Sequence, residues 1–181
     1  MGQMSFVKTI IVFDQDVDIQ NTKIVVETLL NKIDFTHDLF FSEGILDVLN
    51  HASDKAIYGS KLGIDATTKI EGEDESKIKP ENNSMTASPL SKNILESFSE
   101  LTSCKIFKKN DLHQVAFATL DKKTPQQGCK VIEKFMNDKK FSAITVFVVL
   151  ENHENVNDAS TVLWKILNNL DPKETCIFLA T

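Results

Sequence analysis

Two stretches of the chain repeat one order of apolar and polar positions. Residues 10–41 align without a gap on residues 147–178, at a constant offset of 137. The apolar run Ile10-Ile11-Val12-Phe13 falls on Phe147-Val148-Val149-Leu150, and Val12/Val149, Val25/Val162, Leu30/Leu167, Asn31/Asn168, Asp34/Asp171 and Phe41/Phe178 are identical. Each copy reads as apolar run, polar turn, amphipathic stretch, an Asn-x-apolar-Asp break and a second apolar run. Ile24, Val25, Thr28, Leu29 and Leu30 recur at helical spacing in the first copy, and Val162, Leu163, Ile166, Leu167 and Leu170 in the second. Pro172 closes the second helix, because proline disfavours helix for the residue before it. Short apolar runs flanking a helix of about a dozen residues predict a βαβ unit with parallel strands.

Between the copies, Ile45, Leu46, Val48 and Leu49 predict a short helix over Gly44–His51. The stretch Tyr58-Gly-Ser-Lys-Leu-Gly-Ile-Asp-Ala-Thr67 reads as a loop, with Gly59 and Gly63 free to take the positive φ of a tight turn. Residues 71–84 are polar and charged with almost nothing apolar, the composition of a mobile linker. Beyond Ser88 the pattern predicts a helix over Pro89–Leu101, strands near Lys105–Phe107 and Val115–Leu120, and a helix over Pro125–Asn137. Both prolines sit where a first helical turn tolerates them. The fold class expected is α/β, a three-layer Rossmann-like domain with a largely parallel sheet and helices on both faces. Residues 8–70 form the first βαβ unit and its loop, 71–87 a linker, and 88–181 a degenerate second copy. The first unit is too small to bury its own apolar surface, so it is expected to add to the second half or to pair with another chain.

Composition narrows the function classes. The 181 residues, 41% hydrophobic and 25% charged, are ordinary for a globular chain of one domain or two small halves. A net charge of -6 is the wrong sign for a nucleic-acid footprint. All 20 basic residues are lysine, so the planar fork that grips carboxylates and phosphates at two points is missing. Cys104, Cys129 and Cys176 are too widely spaced for a metal ribbon and odd in number for a disulfide framework, which fits a reduced, cytoplasmic setting. The longest apolar stretch, Ala143–Leu150, is far short of a membrane span, so no membrane insertion is expected. The first six residues lack the basic and apolar regions of a signal peptide.

Several segments carry a resemblance. Asp14-Gln-Asp-Val-Asp18 after an apolar strand, Asn31-Lys-Ile-Asp34, Glu43-Gly-Ile-Leu-Asp47 and above all Gly59-Ser-Lys-Leu-Gly-Ile-Asp-Ala-Thr-Thr-Lys69 with Gly72-Glu73 resemble the C-terminal end of UbiD-family decarboxylases. The second half is similar to the same domain in worn form. His113-Gln-Val-Ala-Phe117, Thr124-Pro-Gln-Gln-Gly128, Val162-Leu-Trp164 and Asn168-Asn-Leu-Asp-Pro172 match its pattern, while Glu151, His153 and Asn155 replace the three aspartates. The resemblance implies a part of a carboxy-lyase that decarboxylates aromatic or unsaturated acids with prenylated FMN, as in ubiquinone or menaquinone synthesis. It also implies that the flavin and the catalytic Arg-Glu-Glu set belong to a domain upstream. This chain lacks arginine and is expected to hold no catalytic residue and no cofactor of its own. Its implied partners are a UbiD-like flavin-binding domain and its own copies, in a homo-oligomer.

Two groups are candidates for chemistry. Gly59, Ser60, Lys61, Gly63, Asp65, Thr67 and Lys69 form a candidate ligand or interface loop, with Lys61 or Lys69 meeting an anionic group. Asp14, Asp16 and Asp18 form an acidic strand end, where ligands sit in open α/β folds. The spacing fails as a calcium loop, since Ile19 and Val25 stand where glycine and a bidentate glutamate are needed, and no metal is assigned. Helix capping by these aspartates is the plain reading. The alternative is a magnesium-dependent phosphatase of the haloacid dehalogenase type, with Asp14 as nucleophile and Asp16 as acid. A stand-alone binding or regulatory protein is a further alternative. His37, His51, His113 and His153 show no metal spacing, and Trp164 is expected in the core.

Overall fold

A computed structural model describes residues 3–71, 73, 87–108 and 114–175. Gly72, residues 74–86 of the expected linker, His113 and the apolar run from Cys176 onward lie outside the described residues. Two compact units are present, Met1–Ile78 with Ile166–Thr181, and Lys79–Lys165. No helix among the described residues is long and apolar enough to cross a membrane.

The first unit contains strand β1 (Thr9–Phe13), helix α1 (Thr22–Lys32), strand β2 (Leu39–Ile45) and strand β3 (Tyr58–Ala66), in the sheet order β1-β3-β2. Asn21 starts α1 by accepting the backbone N–H groups of Lys23 and Ile24, so the cap is this residue and not the aspartates before it. β1 runs parallel to β3, and β2 antiparallel to it. The expected pair of parallel strands around α1 is therefore not formed. The chain reverses between β2 and β3, a turn closed by the Leu46 N–H donating to the Ile57 carbonyl at 2.9 Å, and β3 inserts between the other two strands. The expected loop over 58–67 is thus the central strand of its sheet. Gly59 and Gly63 have no positive φ; what Gly59 provides is close approach, since a Cβ there would overlap Ser53 and Leu46. No helix forms over Gly44–His51, because Gly44 and Ile45 belong to β2, Leu46 is buried, and Val48 and Leu49 point to solvent.

The second unit runs α2 (Ala87–Ser97), β4 (Leu101–Lys108), β5 (Gln114–Leu120), α3 (Gln127–Met136), β6 (Ile144–Glu151) and into α4 (Ala159–Asn169). β5 is central, antiparallel to β4 and parallel to β6. One hydrophobic cluster joins Leu90 and Ile94 of α2, Phe98 beyond it, Val131 and Phe135 of α3, Phe141, and the sheet residues Ile106, Ala116, Ala118, Leu120, Ile144 and Phe147. Phe135 is its hub, stacked on Phe147 at 3.8 Å and on Phe141 at 5.0 Å between ring centroids. The protein is α/β as expected, but neither sheet is largely parallel. Each has three strands, with one parallel and one antiparallel neighbour to the central strand, because each contains one hairpin-like reversal and one crossover.

The repeat is present in local geometry. Shifting α1 by 137 residues gives the ends of α4, Ala159 and Asn169. The caps correspond: Asn21 receives two backbone N–H groups, and Asp158, at the same offset, receives those of Ser160 and Thr161. The turns before the helices also correspond, with Gln20 donating to the Asp18 side chain and Asn157 to that of Asn155, both at 3.0 Å. After the helices, the Asp38 N–H donates to the Asp34 carbonyl and the Thr175 N–H to the Asp171 carbonyl, both at 2.8 Å. In return the Asp34 N–H donates to the Asp38 carboxylate, and the Asp171 N–H to the Thr175 hydroxyl. Few identities are needed for this, because every donor is a backbone N–H and the accepting side chain can be Asn, Asp or Thr.

Candidate functional site at the ends of β1 and β3

The carboxyl ends of β1 and β3 lie side by side, which brings the two groups of candidate residues together. Asp14 follows β1 and accepts hydrogen bonds from the Thr68 backbone N–H at 3.0 Å, the Thr68 hydroxyl at 2.7 Å and the Lys32 ammonium. Lys32, in the last turn of α1, also donates to the Thr68 hydroxyl. The bonds from Lys32 and then Thr68 hold the Asp14 carboxyl below the usual carboxylate range. Asp16 and Asp18 are exposed, and the Asp18 carboxylate accepts from its own turn at Gln20.

A second knot adjoins the end of β3. The Lys69 ammonium donates to Asp38 and to Asp65, both at 2.8 Å, while Asp65 also accepts from the Thr67 N–H and hydroxyl. Lys69 and Thr67 together lower the Asp65 pKa to about 2. Burial lowers the Lys69 pKa, but the bonds to Asp38 and Asp65 outweigh it and the net shift is upward. Both lysines at this end are therefore engaged by carboxylates. Lys61 is elsewhere: its ammonium donates to the Ser5 carbonyl and its stem packs on Gly44.

Ser60, on the opposite face of β3 from Lys61, belongs to a third arrangement that sequence reasoning missed. Its hydroxyl donates to Asp171, which is 1% exposed; Ser53 donates to the other carboxylate oxygen at 2.8 Å, and the Lys173 N–H donates to the Ser60 oxygen at 3.0 Å. Burial raises the Asp171 pKa, but the Ser60 and Ser53 hydroxyls and the Lys173 N–H outweigh it, so the net shift is downward. Lys173 adds an ion pair to Glu43 on β2. The repeat is the signal that identifies this residue, since Asp34 at the matching position turns its carboxylate to its own neighbours Thr36 and His37.

Beside Asp65 lies an open hollow of about 420 Å³, lined by Ile10, Val12, Phe40, Gly63, Ile64, Asp65 and Thr67. Among the described residues no group of three or more His, Cys, Asp or Glu side chains is placed to hold a metal ion. Burial pushes the Cys104 thiol up to about 11, so it is an inert apolar group. Cys129 is exposed. His153 sits between Glu151 and Glu154. Trp164, expected in the core, is exposed, because the buried stripe of α4 runs through Val162; the Lys165 ammonium lies 5.9 Å from its ring centroid.

An uncharacterized protein of Helicobacter pylori is 28% identical over 176 residues, covering 96% of this chain and 27% of its own length. An uncharacterized protein of Aquifex aeolicus is 37% identical over 81 residues, 45% of this chain and 17% of its own. The chain thus spans about a quarter or less of these relatives. Among solved structures, the vanillic acid decarboxylase of Sedimentibacter hydroxybenzoicus in open form matches 52% of this chain and 20% of its own at 22% identity, with a TM-score of 0.38. The UbiD-class enzyme HmfF from Pelotomaculum thermopropionicum, in complex with FMN, matches the same shares at 22% identity and a TM-score of 0.35. The family model of the 3-octaprenyl-4-hydroxybenzoate carboxy-lyase C-terminal domain matches residues 1–66 and 83–181, and the chain belongs to that family.

Proposed function

We propose that this chain is the non-catalytic assembly portion of a UbiD-like carboxy-lyase, working beside a flavin-binding domain and its own copies in the cytoplasm. The observation that carries the reading is the family match over residues 1–66 and 83–181, joined to a site whose charged groups are engaged with one another. Asp14–Lys32 and Asp65–Lys69–Asp38 tie the ends of β1 and β3 to α1 and to the residues before β2. Such pairs fix a surface and leave little free charge to act on a substrate.

The reaction of the whole enzyme would be decarboxylation of an aromatic acid, of the quinone-biosynthesis type, with prenylated FMN bound by the partner domain. The residues here do not fit a flavin phosphate. Lys32 and Lys69 are held by carboxylates, Asp65 lines the hollow with negative charge, and arginine is absent from the sequence. No catalytic step is therefore routed through this chain.

The test is isolation of the native gene product from source cells through an antibody to this chain, followed by light scattering and flavin absorbance. An assembly of dimer size or larger that carries a flavin polypeptide and decarboxylase activity is expected. A flavin-free monomer at the 20.3 kDa of this chain would overturn the reading.

A further inference from the structure

The pairing of the first sheet sets Ile10, Gly63 and Phe40 in one row across its three strands. Alternation along the strands puts Lys61 on the same face to one side of that row, and Val12 and Asp65 to the other. The face is charged oppositely at its two ends. The end at Lys61 is positive, because its ammonium donates to a neutral acceptor, the Ser5 carbonyl. The end at Asp65 is negative, because Asp65 and Asp38 share the single ammonium of Lys69. Lys61 and Asp65 lie about 13 Å apart along one strand, too far to pair with each other.

Between those ends the face is apolar and uneven. Ile10, Val12 and Phe40 are 45%, 52% and 61% exposed, and the missing side chain of Gly63 opens the hollow of about 420 Å³ between them. Three large apolar side chains beside a concavity mark an interaction surface rather than scattered exposure. What fits it must bring apolar bulk to the centre and the two charges in reversed order. A second copy of the same face does both when it is turned end for end about a two-fold axis lying across the strands at the Ile10–Gly63–Phe40 row. Lys61 of each copy then stands opposite Asp65 of the other, and the two Phe40 rings meet at the centre. Sheets packed face to face are about 10 Å apart, too close for two phenylalanines to meet head-on, so each ring must lean aside. Gly63, the neighbour of Phe40 in the row, leaves the space for it.

We infer that the face running from Lys61 over Phe40 to Asp65 joins this chain to a second copy of itself, sheet on sheet, with the Phe40 rings seated over Gly63. Three strands about 4.8 Å apart, the longest of nine residues, cover roughly 14 by 30 Å, which is the small end of specific interfaces. The chain alone therefore associates weakly, with a Kd of roughly tens of micromolar. The inference deepens the assembly reading and rests on it for its setting. A native flavin-bearing oligomer joined through other surfaces would leave that reading standing and overturn this one.

The experiment mixes the full chain with a heavy-nitrogen-labelled batch of itself at about 200 µM, well above the expected Kd. A zero-length carbodiimide then joins amines to the carboxylates they touch, and mass spectrometry identifies links between labelled and unlabelled copies. A mixed-isotope link between Lys61 and Asp65 is expected, with a dimer in sedimentation equilibrium. Phe40→Lys, at an exposed position, should cut both yields about tenfold. Lys61→Glu should weaken the dimer by facing like charges, and mixing it with Asp65→Lys should restore association, since every charge then meets its opposite. If circular dichroism shows that Asp65→Lys fails to fold, Gly63→Leu takes its place, and by filling the hollow it should abolish the dimer. A monomer at this concentration would overturn the inference and leave the face to another stretch of polypeptide. So would a dimer that Phe40→Lys leaves unchanged, or one whose mixed-isotope links fall on other residues.

Discussion

Ile57 has a backbone φ of 62°, in the left-handed region, at the turn that delivers the chain into β3. A β-branched residue there is strained by about 1–2 kcal/mol, and half-exposed Ile57 gains little packing in return. Ile57→Gly should raise stability by about 1 kcal/mol in urea unfolding; a loss of that size would mean the side chain packs more than its exposure suggests. Asp65 gives the pH counterpart. Its pKa is lowered from 3.8 to about 2 by Lys69 and Thr67, so its contribution is complete above about pH 4 and is lost as the pH falls towards 2. Asp65→Asn should therefore destabilise the protein at pH 5 and converge on the parent near pH 2, which urea midpoints at the two values would record. A gap that persists unchanged in acid would show that its bonds act through packing and not charge. Asp14 was legible as a strand-end carboxylate, but its partners were not, because Lys32 and Thr68 are 18 and 54 residues away in the sequence.

At the scale of elements, α1 to α4 and the strands β1, β4, β5 and β6 were legible, whereas β3 and the directions of pairing were not, and the helix read over Gly44–His51 does not form. α1 and α4 stood out because apolar spacing and the Asn-x-apolar-Asp break act locally. β3 was misread because its glycines, serine, lysine and aspartate are the residues of turns, whereas a central strand selects them here for what crosses it. A Cβ on Gly59 would fall 2.9 Å from Leu46 Cδ1, while one on Gly63 meets only ordinary contact, 3.4 Å from Phe40 Cβ. Gly59→Ala should therefore cost about 1–3 kcal/mol and Gly63→Ala stay within about 0.5 kcal/mol, a contrast that a reading of both as turn glycines does not give. Direction of pairing was equally hidden, since hairpin and crossover follow from non-local contacts. The bond from Ser60 to Asp171 joins positions 111 residues apart and is testable by a double-mutant cycle. Ser60→Ala should cost about 1–3 kcal/mol by leaving a buried carboxylate short of a donor, and much less once Asp171→Asn is present. Strictly additive effects would remove this bond as the tie between β3 and residues 171–175.

Across the whole molecule, the two units share a pattern of strand directions but differ in strand connection and in how much apolar surface they bury. The second has a ring stack of Phe98, Phe135, Phe141 and Phe147 beneath two helices. In the first, the buried apolar residues among those described before position 74 are Ile33, Leu46, Leu62 and Ala66, and α1 has no fully buried residue. Opening free energy follows buried apolar contact, so the units should open separately and not by one global route. Native-state hydrogen exchange of this chain should find β5 amides protected by the global stability, with β1 and β2 exchanging at least about tenfold faster, a difference of about 1.4 kcal/mol. Equal protection across β1, β2 and β5 would mean one cooperative block and remove the argument that the first unit lacks cover.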